Sequence, residues 1–135
     1  MTNIRELLDA HPQDTGALDR ANLAECIEAC YACAQACTAC ADACLAEDMV
    51  AELTTCIRTD LDCADICATT GAVLSRQTGS DLNLIKAVLE LCRLACGNCA
   101  AECESHAGMH DHCRICGEAC RRCEAACKRL LTSLN

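Results

Sequence analysis

The spacing of the cysteines constrains this chain more than any other feature. The first six fall at Cys26, Cys30, Cys33, Cys37, Cys40 and Cys44, in steps of 4, 3, 4, 3 and 4. That is the a/d pattern of a heptad, so one helix carries an unbroken cysteine seam on the face that a bundle buries. A second seam reads Met49, Leu53, Cys56, Asp60, Cys63, Cys67, Thr70 and Leu74. A third reads Leu82, Ile85, Leu89, Cys92, Cys96, Cys99, Cys103 and His106. The fourth reads Met109, Cys113, Cys116, Cys120, Cys123, Cys127 and Leu130. All 18 cysteines lie on these four seams and none lies elsewhere.

The seams predict four long helices, at about 19–46, 49–77, 81–107 and 110–134. Asp48 is placed to cap the second helix. Gly79 and Ser80 end that helix and cap the next, and Gly108 and Asp111 do the same at the last junction. Short connections make sequential helices antiparallel neighbours. The predicted fold is all-α: an up-down-up-down four-helix bundle lined with thiols. Pro12 separates a short N-terminal amphipathic helix, with Ile4, Leu7 and Leu8 on one face, from that bundle. Residues 1–13 hold the short segment, 14–135 the bundle, and 1–135 form a single domain.

Composition sharpens the picture. Hydrophobic residues make up 53% of the chain, but Ala and Cys dominate that share and Tyr31 is the sole aromatic. A core of Ala and Cys buries little hydrocarbon. Thiols opposed across a bundle leave space that Leu would fill, which reads here as room for ions and a loose unloaded core. Cysteine as a mere small hydrophobe does not account for 18 on the core stripe and none outside it. Disulfides within a helix are strained, because residues four apart hold their Cβ atoms about 5–6 Å apart and a bridge needs about 3.5–4.5 Å. The N-terminal stretch has no apolar run like a signal-peptide core, and no segment reads as transmembrane. The expected compartment is therefore the cytosol, where thiols stay reduced. A net charge of −9 argues against nucleic acid and anionic membranes as partners, and suits both solubility and the attraction of cations.

Which cation follows from charge. Thiols bind metal as thiolates, and uncompensated ions in a low-dielectric core are very costly. Zinc in a four-thiolate site leaves a net −2 at each site, so a stack of such sites repels itself. A soft monovalent cation at one per thiolate leaves the tube near neutral, and thiolate selects Cu(I). Eight Cys-x-x-x-Cys pairs present two sulfurs from one turn: 26/30, 33/37, 40/44, 63/67, 92/96, 99/103, 116/120 and 123/127. Cys56 and Cys113 are left to partners on other helices. With bridging thiolates, the expected capacity approaches one Cu(I) per Cys.

The two ends differ. Leu23, Leu74, Leu82, Ile85, Leu89 and Leu130 form an apolar plug at one end, interrupted by Thr70. Met49, His106 and Met109 continue the seam at the other, near His110 and His112. Thioether and imidazole suit copper and bind more loosely than thiolate, so this end reads as the mouth for loading and release. His112 reads as an exposed polar residue at a helix start. Asp60, buried between Cys56 and Cys63, needs a metal, a proton or a hydrogen bond and reads as a weak ligand. Two outer stripes, Ile57, Leu61, Ala64 and Ala68, and Leu84, Val88, Leu91 and Ala95, read as flanks packed within the bundle, with a subunit interface as the alternative.

Cys-x-x-x-Cys ladders on every bundle helix, with a His/Met mouth, resemble the bacterial copper storage proteins of the cytosolic branch. The resemblance spans the chain from about Asp14 onward. It implies a four-helix bundle whose core thiolates store many Cu(I) ions, assembled as a homotetramer. Copper would be exchanged with a small thiol ligand or a copper chaperone. One alternative is a zinc or cadmium metallothionein-like sink, which the helical regularity and the charge argument disfavour. Another is an iron–sulfur electron carrier, but the run from Cys113 to Cys123 lacks the ferredoxin spacing and its Pro. An enzyme is not expected, since no Glu-x-x-His pair, phosphate loop or acid–base constellation is present.

Overall fold

In a computed structural model, described over residues 3–134, five helices follow one another: α1 (Ile4–Ala10), α2 (Arg20–Leu45), α3 (Thr54–Leu74), α4 (Leu82–His106) and α5 (Asp111–Ser133). The last four form the bundle. α2 packs on α3 and α5, and α4 packs on α3 and α5, which is the square of antiparallel neighbours that the short connections dictate. The cysteine seams line its axis. Every cysteine is buried, none more than 1% exposed, and all 18 are free thiols.

Helix boundaries follow the caps, with three corrections. Asp19 accepts from the backbone N–H of Asn22 and so starts α2. Asp81, rather than Ser80, starts α4, its carboxylate accepting from Asn83 and Leu84. Asp48 caps nothing. The chain passes through a 3-10 turn at Val50–Glu52 before α3 begins behind Leu53, which is fully buried and offers no side-chain cap. α5 likewise starts behind His110 with no side-chain cap, and Asp111 is its first residue. Gly79 sits in the α3–α4 turn at φ 67°, where only a residue without Cβ is unstrained.

The plug forms largely as expected. Leu23, Leu74, Ile85, Leu89 and Leu130 are at most 2% exposed. Leu82 is not part of it: as the first residue of α4 it projects beyond the packed turn and is 40% exposed. α1 packs against α2 with Leu8 buried, while Leu7 faces solvent. The outer stripes also differ from expectation. Ala64 is buried and Ile57 packs against the core, but Leu61, Leu84 and Leu91 are exposed, so these flanks are packed within the bundle only in part.

The axis holds no open channel where the thiols meet. Cys30 on α2 reaches Cys92 on α4 at 4.0 Å, Cys37 reaches Cys99 at 3.9 Å, and Cys67 on α3 reaches Cys123 on α5 at 4.0 Å. Opposed sulfurs touch across both diagonals, so the small side chains draw the helices together instead of leaving the loose core expected from the missing aromatics.

Candidate metal centre

The heptad register places a sulfur on the axis at every turn. Four of the eight same-helix pairs meet in hydrogen-bonding geometry within 4.0 Å: Cys33/Cys37, Cys63/Cys67, Cys92/Cys96 and Cys99/Cys103. Contacts between helices are more numerous and closer. Cys67 and Cys96 stand 3.5 Å apart, and Cys120 lies 3.6 Å from both Cys33 and Cys37. Cys26 meets Cys127 at 3.8 Å. Cys116 meets Cys37 at 3.7 Å, and Cys123 meets Cys30 at 3.8 Å. Cys56 and Cys113, unpaired on their own helices, reach Cys103 at 4.0 Å and Cys40 at 3.9 Å.

These contacts merge into overlapping groups of four sulfurs lying within 4.8 Å of one another. Cys33, Cys63, Cys67 and Cys96 form one, and Cys33, Cys37, Cys63 and Cys120 another. Cys37 and Cys120 recur with Cys99 and Cys116, and Cys44 joins Cys40, Cys56 and Cys113. A metal that requires four sulfurs of its own can fill only groups that share no member, such as Cys33, Cys63, Cys67 and Cys96 beside Cys40, Cys44, Cys56 and Cys113. A metal of low coordination number held by bridging sulfurs can use the overlapping groups as well.

Proton sharing makes the thiols unequal. Hydrogen bonds from neighbouring thiols push Cys63, Cys92, Cys116 and Cys123 well down, and Cys26 down to about 6. Cys56 is pushed down to about 3, first by Cys103. Hydrogen bonding among thiols, joined by burial, pushes Cys30, Cys37, Cys67, Cys96, Cys103 and Cys127 up. Burial pushes Cys44 up to about 11.

Asp60 is fully buried among these sulfurs. Its Oδ1 accepts from Cys99 at 3.0 Å, Cys103 at 3.3 Å and Cys116 at 3.4 Å, and Cys56 approaches Oδ2 at 3.9 Å. Burial pushes its carboxyl up to about 7, against the opposing hydrogen bond from Cys99.

At the open end the side chains sort differently from the sequence pattern. His112, expected to be exposed, faces inward: Nδ1 lies 3.4 Å from Cys40 Sγ and 3.6 Å from Cys113 Sγ. His110 is buried, its Nε2 3.2 Å from Met49 Sδ. The two rings stack with centroids 5.3 Å apart. His106 turns to Glu102 at 3.2 Å. Met109 does not continue the seam. α4 ends at His106, both Met109 and His110 donate back to its carbonyl, and the Met109 side chain is left 67% exposed. Glu47, which no seam contains, accepts from His112, stands 2.8 Å from His110 Nδ1, and is held below the usual carboxylate range, first by His112. The inward turn of His112 escapes the sequence pattern, and its place beside Cys113 is the one signal that points to it. Glu47 carries no comparable signal, since its partners lie more than 60 positions away, 65 in the case of His112.

The model of the copper storage protein family matches residues 19–132, which is the whole bundle without α1. The chain belongs to the copper storage protein family. The copper storage protein Ccsp of Streptomyces lividans, solved with 10 copper equivalents, is 60% identical with a TM-score of 0.95, over 97% of this chain and 99% of that one. The same organism's cytosolic copper storage protein, in a five-copper state, is 62% identical with a TM-score of 0.82, over 83% of this chain and 93% of that one. The Cu(I)-bound copper storage protein BsCsp3 is 40% identical with a TM-score of 0.70, over 78% of this chain and 94% of that one. The cysteine-rich protein YhjQ of Bacillus subtilis is 43% identical over 94 residues, which are 70% of this chain and 82% of that protein.

Proposed function

We propose that this chain stores copper in the cytosol, holding many Cu(I) ions on the thiolates of its bundle core. The observation that carries this reading is the sharing of sulfurs between neighbouring four-sulfur groups. Bridging thiolates let one ion enter per sulfur, and each Cu(I) that displaces a thiol proton leaves the core neutral. All 18 cysteines are the proposed ligands. Asp60 is proposed as a buried carboxylate that holds either a proton or an ion beside Cys99 and Cys116.

The proposed route for loading and release is the end formed by Met49, His106, His110 and His112, with Met109 exposed at its rim. The proposed assembly is a homotetramer that exchanges copper with a small thiol ligand or a copper chaperone and carries out no chemical transformation itself. A zinc sink is disfavoured because each four-thiolate zinc site would leave a net charge of about −2 in the buried core.

The test is an anaerobic titration of the reduced protein with Cu(I) against a chelator, followed by metal analysis. Saturation near 18 ions, one for each thiol, supports the reading. Saturation at about four ions, the number that separate four-thiolate sites would allow, overturns it.

A further inference from the structure

Two histidines at the open end converge on one carboxylate oxygen. Glu47 Oε2 stands 2.8 Å from His110 Nδ1 and 2.9 Å from His112 Nε2. The His112 contact is a hydrogen bond, and a carboxylate oxygen only accepts, so His112 Nε2 carries the proton. A neutral imidazole has one N–H, and its other nitrogen is then a bare lone pair. On His112 that atom is Nδ1, which faces Cys40 and Cys113 at 3.4 and 3.6 Å. His110 differs: its Nε2 meets Met49 Sδ at 3.2 Å, and a thioether only accepts, so that nitrogen is a donor.

We propose that Glu47 is the positioning residue of the open end, fixing the Nε2–H tautomer of His112 so that its Nδ1 is presented to two thiols. A carboxylate that orients a histidine ligand in this way raises its basicity and fixes its ring angle. The His110 ring stacks on the ring so held, with centroids 5.3 Å apart. The nitrogen–dithiol group suits a soft cation. Glu47 sits just past the end of α2, where its backbone N–H returns to the Cys44 carbonyl, so the helix terminus sets its position.

The inference rests on Cu(I) entering at this end, and the test separates the two ideas. Ring-nitrogen correlation NMR on the reduced, copper-free chain reads the tautomers directly. The wild type should show protonated Nε2 on His112. Glu47→Ala should mix the tautomers of His112 and slow the first phase of Cu(I) uptake from a chelator about tenfold. Its final capacity should be unchanged. Glu47→Gln keeps one carbonyl acceptor and should fall between the two. Wild-type tautomers in Glu47→Ala, or mixed tautomers with an unchanged uptake rate, would overturn the role of Glu47. A wild-type capacity of only a few ions would instead overturn the storage reading and leave the tautomer assignment standing.

Discussion

A carboxylate buried among thiols has an electrostatic cost that depends on pH. Asp60 has a folded-state pKa of about 7 against an ordinary value of 3.8. Between those values the folded chain keeps a proton that the unfolded chain has lost, so stability falls as pH rises through that window. Below about pH 4 the group is protonated in both states and costs nothing through ionisation. Above about pH 7 the full penalty applies, on the order of a few kcal/mol. Asp60→Asn keeps an Oδ1 that accepts from Cys99, Cys103 and Cys116 but removes the charge. The copper-free variant should therefore lack this fall in stability between pH 4 and 7, and should unfold at a higher urea concentration than wild type at neutral pH. Urea unfolding across that range measures both effects. A parallel pH dependence in the two proteins would show that the carboxylate is not the cause. The burial of Asp60 was legible from its seam position, because a heptad register assigns an inward face whatever the side chain. The inward turn of His112 was not, since it depends on Glu47 across a chain reversal.

Among the elements, α2 and α4 are capped by aspartates, while α3 and α5 have no side-chain cap. The Asp81 carboxylate satisfies two backbone N–H groups, at 2.9 and 3.2 Å. Asp81→Ala should therefore cost about 1 kcal/mol. Asp48→Ala, at the position where the sequence suggests a cap, should be neutral within about 0.5 kcal/mol. Chemical denaturation of the copper-free protein measures both, and an equal loss in the two would contradict the assigned start of α3. This difference marks what was legible at the scale of elements. Four helices and their inward faces follow from a repeat carried by 18 cysteines. A helix start rests on a few residues, and near α3 the buried Leu53 and the 3-10 turn before it decide the entry. The outer leucines escaped for a related reason: a stripe at helical spacing shows that residues share a face but not what covers it.

For the whole molecule, the question is what copper does to the bundle. Sulfur contacts run mainly between helices, and single groups join several of them: Cys30 comes from α2, Cys92 from α4, and Cys123 and Cys127 from α5. An ion in such a group cross-links elements that separate on unfolding, so it binds the folded chain more tightly than the unfolded one. Binding of that kind stabilises by mass action, about 4 kcal/mol for each site when free ligand exceeds its dissociation constant a thousandfold. An ion held by one Cys-x-x-x-Cys turn would behave otherwise, since a local turn can re-form in the unfolded chain and bind there too, which reduces the effect. The interhelical geometry therefore predicts a melting temperature that climbs with each increment of Cu(I), by at least about ten degrees overall. The copper-free value should return when a strong chelator removes the metal. Thermal melts at stepwise loading under anaerobic conditions test this. A melting temperature indifferent to copper would place the ions on single helices, whatever the final stoichiometry.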